Sequence, residues 1–261
     1  METPPFDKLR TPRAVLFDIG STLWSSPPED PGALDYCYGR ARDALLRALK
    51  DVPPQEALID AVEGYMAEWE EIWRLDPTKV VQGPTTQFVA EALAKLGLEP
   101  PPDVLAEFTG LLLETSIYTA KVLQPEPGMP EALAALKKRG LRLGCISNAF
   151  MTAAGLHQIM VERGLGQYLD LTLSSCEFGY RKPHPAIYLA AAEGLGVAAN
   201  EAIFVGDRLD ADVAGPASLG MRTVLTLQYR VEDPATAQIY PDAVISHLSE
   251  LVPFIDSLLH E

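Results

Sequence analysis

The chain has 261 residues, enough for one large domain or two small ones, and its 48% hydrophobic and 22% charged residues are those of an ordinary globular protein. A formal charge of -15 argues against a nucleic-acid surface or an anionic membrane as partner, so any anion it binds must meet a locally positive site. No stretch approaches the ~18 uninterrupted apolar residues of a membrane span, the N-terminal METPPFDKLRTPR lacks the apolar run of a signal peptide, and Cys37, Cys145 and Cys176 show no metal-ligand spacing, so a reducing cytoplasm is the expected compartment.

The first predicted element is a strand at about 13–17, which runs straight into Asp18. SSPPEDPG, residues 25–32, breaks it off as a linker. From about Leu34 to Lys121 apolar residues recur at three- and four-residue spacing in four blocks, 33–52, 56–75, 85–98 and 102–120, separated by Pro or Gly. Four helices with no strand among them read as a small bundle. After QPEPGMP (124–130) the rhythm changes. Helices at 130–140, 153–164, 185–196 and 212–220 alternate with strands at 141–147, 169–175, 201–207 and 221–227, and a last strand at 242–246 precedes a helix at 248–259. Alternating strands and helices imply a parallel sheet covered on both faces. The first strand needs that sheet too, so the predicted fold is a doubly wound, Rossmann-like α/β core of residues 1–24 and 124–261 with an all-α domain, 25–123, inserted into it.

In an open parallel sheet, ligands bind at the carboxyl ends of the strands. Three predicted strands end in polar residues: one at Asp18, one at Ser147 and Asn148, one at Gly206 and Asp207 with Asp210 and Asp212 following; a Lys182-Pro183 pair lies in a loop between the last two strands. The set resembles the haloacid dehalogenase-like hydrolase superfamily, in its subfamily with a helical cap. DIGSTL matches the first motif at Asp18, Thr22 and Leu23, Ser147 the second, Lys182 the third, and VGDRLDADVAGP the fourth through Asp207 and Asp212, with Asp210 as rival for the latter position. All four occur in order, and the resemblance spans almost the whole chain.

The resemblance implies a Mg²⁺-dependent phosphatase of a small phosphorylated metabolite, working through an aspartyl-phosphate. Asp18 would be the nucleophile, which splits hydrolysis into two easier steps. Asp18, the backbone carbonyl of Gly20, Asp207 and Asp212 would hold the metal or its waters, as a hard cation requires. Thr22, Ser147 and Asn148 would serve the phosphate and its turn. Lys182 would neutralise nucleophile and transferring group together. No nucleic acid or membrane partner is expected, and the chain would act as a monomer or homodimer. One departure stands out: Gly20 occupies the position where the family's phosphatases carry a second aspartate as general acid–base. The resemblance therefore leaves open a slow phosphatase, a dehalogenase- or phosphonatase-like hydrolase of C–X or C–P bonds, whose family members also lack that acid, and a catalytically silent ligand-binding protein. A dehalogenase would need no metal.

Each candidate has a plain structural alternative. Asp18 or Asp207 could cap a helix, Lys182 could be a solvated loop lysine, and Ser147-Asn148 an ordinary turn. His184, just past the lysine, is a candidate replacement acid, although such a residue more often opens the following helix. Tyr65, Met66, Trp69 and Trp73 form a stripe expected to be core. Arg40, Arg42 and Arg47 are expected on a solvated helix face, with one of them the candidate for an anionic substrate.

Overall fold

The computed structural model describes residues 11–25, 30–121, 125–237 and 239–259. The N-terminal stretch before residue 11, the linker residues 26–29 and the domain boundary expected at 123/124 lie outside the described residues. Strands β1 (Ala14–Phe17), β2 (Arg142–Ser147), β3 (Leu171–Ser174), β4 (Ala202–Gly206), β5 (Arg222–Thr226) and β6 (Ala243–Ile245) form one sheet in the order β3-β2-β1-β4-β5-β6. Every neighbouring pair is parallel. Helices α1 (Pro31–Ala48), α2 (Gln55–Leu75), α3 (Thr85–Lys95) and α4 (Pro102–Lys121) follow β1. Then come α5 (Met129–Lys138), α6 (Ala153–Glu162), the four-residue α7 (Ser175–Phe178), α8 (Pro185–Gly194), the short α9 (Gly215–Ala217) and α10 (Leu251–Leu259).

The sequence pattern explains the layers. All four residues of β1 are buried, as a central parallel strand requires. Because side chains alternate across a sheet, Val15 and Phe17 pack with α5, α6 and α10, whereas Ala14 and Leu16 pack with α8 on the other face. Phe17 pairs with Cys145 of β2 on one side and Val205 of β4 on the other. The chain builds outward to β3, then returns to the far side of β1 to start β4, which makes the end of β1 the point where strand order reverses. Since all strands run the same way, residues 18, 147 and 207 emerge at one edge of the sheet.

Helices α1 to α4 have their own apolar centre, in which Tyr38, Leu45, Leu58, Leu93 and Phe108 are each 0% exposed. Helix α1 starts at Pro31, inside the stretch expected as linker, and ends at Ala48, short of 52: Pro31 occupies its first turn and the Asp30 carboxylate accepts the Gly32 N–H at 2.9 Å. Among the described residues no helix is long and apolar enough to cross a membrane.

Three further local readings differ from expectation. The helix expected at 212–220 begins earlier, as a wide π-helical turn over Leu209–Ala214 followed by α9. Helix α10 proper starts at Leu251, after a 3₁₀ turn at 248–250. Helix α7 was not anticipated, because four residues ended by Gly179 at φ 90° are too short to show a period.

Candidate active site at the strand ends

Asp18 is placed by the sheet itself. Its N–H donates to the Val205 carbonyl at 2.9 Å, one ladder bond beyond β1, so its side chain emerges beside the end of β4. The chain then turns sharply: the Ile19 carbonyl accepts from Thr22, Leu23 and Trp24, and Ser21 takes the left-handed conformation at φ 56°. Thr22 is wholly buried within this turn, and its hydroxyl has no hydrogen-bond partner among the described residues. Gly20 faces the other way in packing terms, since a Cβ there would meet no atom within 4 Å. Glycine at 20 is therefore not demanded by crowding.

Lys182 comes from the loop before α8, and Asn148 fixes that loop. The Asn148 side-chain oxygen accepts the Lys182 N–H at 2.7 Å, and its amide nitrogen donates to the Lys182 carbonyl at 2.9 Å. The Asn148 side-chain amide is thus committed to the lysine loop, which leaves its backbone N–H as the donor toward the site. Lys182 Nζ lies between two carboxylates, 2.6 Å from Asp18 Oδ1 and 2.7 Å from Asp212 Oδ1. Burial works against its charge, but Asp18 and Asp212 outweigh it and raise its pKa. Ser147 ends β2 alongside, buried.

Asp207 follows β4 directly, whereas Asp212 reaches back from the π-helical turn. Its Oδ2 accepts the N–H groups of Asp207 and Arg208 at 3.2 and 3.1 Å. It passes directly over Gly206, where any Cβ would collide with the Asp212 carboxyl group. Asp210, the rival, instead holds Arg208 through two contacts of 3.2 Å. Asp212 thus contacts Lys182 with one oxygen and the two backbone N–H groups with the other.

The carboxylates of Asp18, Asp207 and Asp212 offer oxygens all within 4.8 Å of one another. Burial raises the pKa of all three. Lys182 opposes it at Asp18, where the Asp207 charge raises the value further; at Asp207 the neighbouring Asp212 adds to the rise, and Asp212 itself is pushed up to about 6. Among the described residues the cations in contact are Lys182 and Arg230, whose Nε lies 2.5 Å from Asp207 Oδ2. Two positive charges against three buried carboxylates leave the cluster short of positive charge. Hard oxygen donors in that state fit a small divalent cation.

Above Lys182 opens a cavity of about 430 Å³. Its floor includes Asn148, Lys182, Arg208 and Arg230, and its roof comes from α2 through Glu70, Trp73 and Arg74. Among the described residues six cationic side chains line it against three carboxylates, although the whole chain carries -15. The local positive charge that an anionic ligand requires is present.

The remaining candidates fall on their plain readings. The His184 ring stacks on Tyr180 with centroids 4.0 Å apart, and its Nδ1 accepts the Ala186 N–H, which caps α8. Arg40 pairs with Glu114, Arg47 with Glu107, and Arg42 donates to the Pro53 carbonyl, so all three stitch the helical unit together. The aromatic stripe is core in part: Trp73 packs with Phe88 and with Phe150 of the loop after β2, yet it also lines the cavity.

Gln82, Arg181 and Arg230 were not legible as site residues. Gln82, 1% exposed, accepts from Ser175 Oγ and Arg181 Nη1 and donates to the Ala149 carbonyl, so it ties the helical unit to the loops that carry Asn148 and Lys182. Arg181 stacks its guanidinium 3.7 Å from the Trp73 ring centre. Only the adjacency of Arg181 to Lys182 offered a signal; 82 and 230 lie far from any motif.

The family described as haloacid dehalogenase-like hydrolase matches residues 12–220. The chain is similar to a glyceraldehyde 3-phosphate phosphatase of Methanocaldococcus jannaschii, 31% identical over 94% of this chain and 98% of the relative. It is similar also to a phosphoglycolate phosphatase of Aquifex aeolicus, 29% identical over 95% of this chain and 99% of the relative. Among solved structures, a 2-haloacid dehalogenase from Pseudomonas syringae pv. Tomato DC3000 superposes with a TM-score of 0.63 at 25% identity, over 94% of this chain and 98% of that one.

Proposed function

Because this chain belongs to the haloacid dehalogenase-like hydrolases, we propose that it is a Mg²⁺-dependent phosphatase of a small phosphorylated metabolite, with Asp18 as nucleophile. The observation that carries the reading is the cluster of three buried carboxylates whose oxygens lie within 4.8 Å of one another beside Lys182. Named phosphatases among the relatives support it. The helical segment 25–123 acts as a cap over a core of 1–24 and 124–261, admitting substrate to the cavity and then excluding water. Three free, buried thiols suit a reducing cytoplasm.

The chemistry divides into two displacements at phosphorus. An Asp18 oxygen attacks the phosphoryl group, the ester oxygen departs with the bonding pair, and an acyl phosphate forms on Asp18. Water then attacks the same phosphorus, Asp18 leaves as a carboxylate, and inorganic phosphate is released. Lys182 faces the attacking carboxylate and the equatorial oxygens, lowering the cost of bringing anion to anion. Ser147 and the backbone N–H of Asn148 orient the phosphoryl oxygens, and Thr22 holds the turn that aims Asp18. Asp212 positions Lys182. Asp18, the Gly20 carbonyl and Asp207 would hold the cation, with Asp212 beside them, and the cation supplies charge neutralisation at the transferring group. Gly20 carries no proton, so the leaving oxygen takes one from water, and turnover is slow.

Phosphate release from a panel of small phosphate esters tests this. The wild type releases phosphate with Mg²⁺ and stops in excess chelator, and Asp18→Asn releases none. Release that persists in Asp18→Asn would refute the mechanism. The missing acid at Gly20 and the likeness to a 2-haloacid dehalogenase favour a second reading, hydrolysis of a carbon–halogen bond by Asp18. That reading predicts halide release undiminished by chelator.

A further inference from the structure

We infer that the cavity contains a second oxyanion site, formed by Arg74, Arg181 and Arg208, which takes a carboxylate or phosphate at the end of the substrate remote from the phosphoryl group being transferred. The inference rests on the phosphatase reading for what occupies the Lys182 end.

Lys182 and Arg230 are occupied by the acid cluster, at 2.6 and 2.5 Å from Asp18 and Asp207. The other guanidiniums of the cavity wall have different partners. Arg74 is held by Glu71, Arg181 by Glu70 and Arg208 by Asp210. All three line the same cavity, although they come from α2, from the loop before Lys182 and from the loop after β4. Arg208 lies close enough to repel both of the others. Burial lowers the Arg181 pKa, Glu70 opposes that, and the charge of Arg208 lowers it further; Arg208 also opposes the rise that Glu71 gives Arg74.

The partners are poorly placed to neutralise this cluster permanently. The Arg181 side chain is 7% exposed, whereas its partner Glu70 is 48% exposed and 3.2 Å away. Glu71 and Asp210 are exposed to 53% and 41%. Ion pairs with so much water around one member are weak and exchange readily. An incoming oxyanion can therefore take the guanidinium donors while the carboxylates turn to solvent. The planar forks of arginine suit carboxylate and phosphate oxygens alike. Trp73 stacks beneath Arg181 and fixes its plane.

The test uses three esters of matched length: 2-phosphoglycolate with a carboxylate tail, ethane-1,2-diol bisphosphate with a phosphate tail, and 2-hydroxyethyl phosphate with a neutral one. With Mg²⁺, wild-type kcat/KM for at least one anionic ester exceeds that for the neutral ester by about tenfold or more, and which of the two wins identifies the tail. Arg208→Gln and Arg74→Gln each shrink that ratio, and Arg47→Gln, in an exposed pair with Glu107 outside the cavity lining, leaves it unchanged. Arg74 is 59% exposed, so its replacement does not threaten folding. A wild-type ratio near one, or a ratio that survives in both variants, overturns the second site and leaves the phosphatase reading standing. If no ester releases phosphate, the phosphatase reading fails, and tryptophan fluorescence titrated with phosphonoacetate and with methylphosphonate decides the site. Tighter phosphonoacetate binding that weakens in Arg208→Gln upholds it, and equal or absent binding overturns it.

Discussion

Gly20 stands two residues past Asp18, and the space around it is open to at least 4 Å. Restoring a carboxylate there should add general acid–base assistance, which typically contributes on the order of 10²–10⁴-fold. Gly20→Asp is expected to raise kcat by roughly 10²-fold with an unchanged melting temperature, read by phosphate release and calorimetry side by side. Gly206 makes the opposite case. A Cβ at 206 would strike the Asp212 carboxyl group, so Gly206→Ala should push Asp212 off Lys182 and off the N–H groups of Asp207 and Arg208. We expect kcat to fall by about 10²-fold, since lysine positioning is lost while the sheet stays intact. An alanine variant with full activity would mean that Asp212 does not orient Lys182.

The connections between elements matter as much as the elements. The segment after α2 lies along the loop before Lys182: Arg181 N–H donates to the Val80 carbonyl at 2.7 Å and Gln82 N–H to the Gly179 carbonyl at 3.1 Å. Into this join Gln82 inserts a buried amide whose three hydrogen bonds reach Ala149, Ser175 and Arg181. Gln82→Ala removes those three hydrogen bonds, at a cost of roughly 1–3 kcal/mol, while Ser175 Oγ keeps the Ala149 N–H and Arg181 keeps Glu70. Because the freed loops carry Asn148 and Lys182, the substitution should lower kcat, whereas a surface change such as Arg47→Ala, in an exposed ion pair, should not. Urea titration together with kcat for both variants checks this. Equal effects on kcat would reduce Gln82 to a packing residue.

At the scale of the whole molecule, stability and cation binding are linked through the acid cluster. Asp212 in the folded protein has its pKa raised from 3.8 to about 6, so its proton is held more tightly folded than unfolded. The stabilisation this gives is full below about pH 4 and is lost as pH rises through about 6; burial raises Asp18 and Asp207 in the same direction. The folded protein at neutral pH therefore bears uncompensated buried charge that a divalent cation relieves, and protons compete with the cation at lower pH. Saturating Mg²⁺ should raise the melting temperature more at pH 7.5 than at pH 5.0, and the difference should shrink in Asp207→Asn. An equal shift at both pH values would argue against the cluster as the cation site. The same separation of scales divides what each level of description decides. Local pattern in the chain was enough for the strand that stops at Asp18, the four-helix run after it, the alternating elements that follow and the polar residues at three strand ends, because side-chain period and turn chemistry are properties of neighbouring residues. Only the tertiary structure decided that Asp212 and not Asp210 meets Lys182, that Asn148 spends its amide on the lysine loop, and that Gln82, Arg181 and Arg230 join the site. Those contacts link residues 23 to 111 positions apart, or choose between acids two apart on an irregular π-helical turn, and no periodicity encodes which side chains a folded chain will bring face to face.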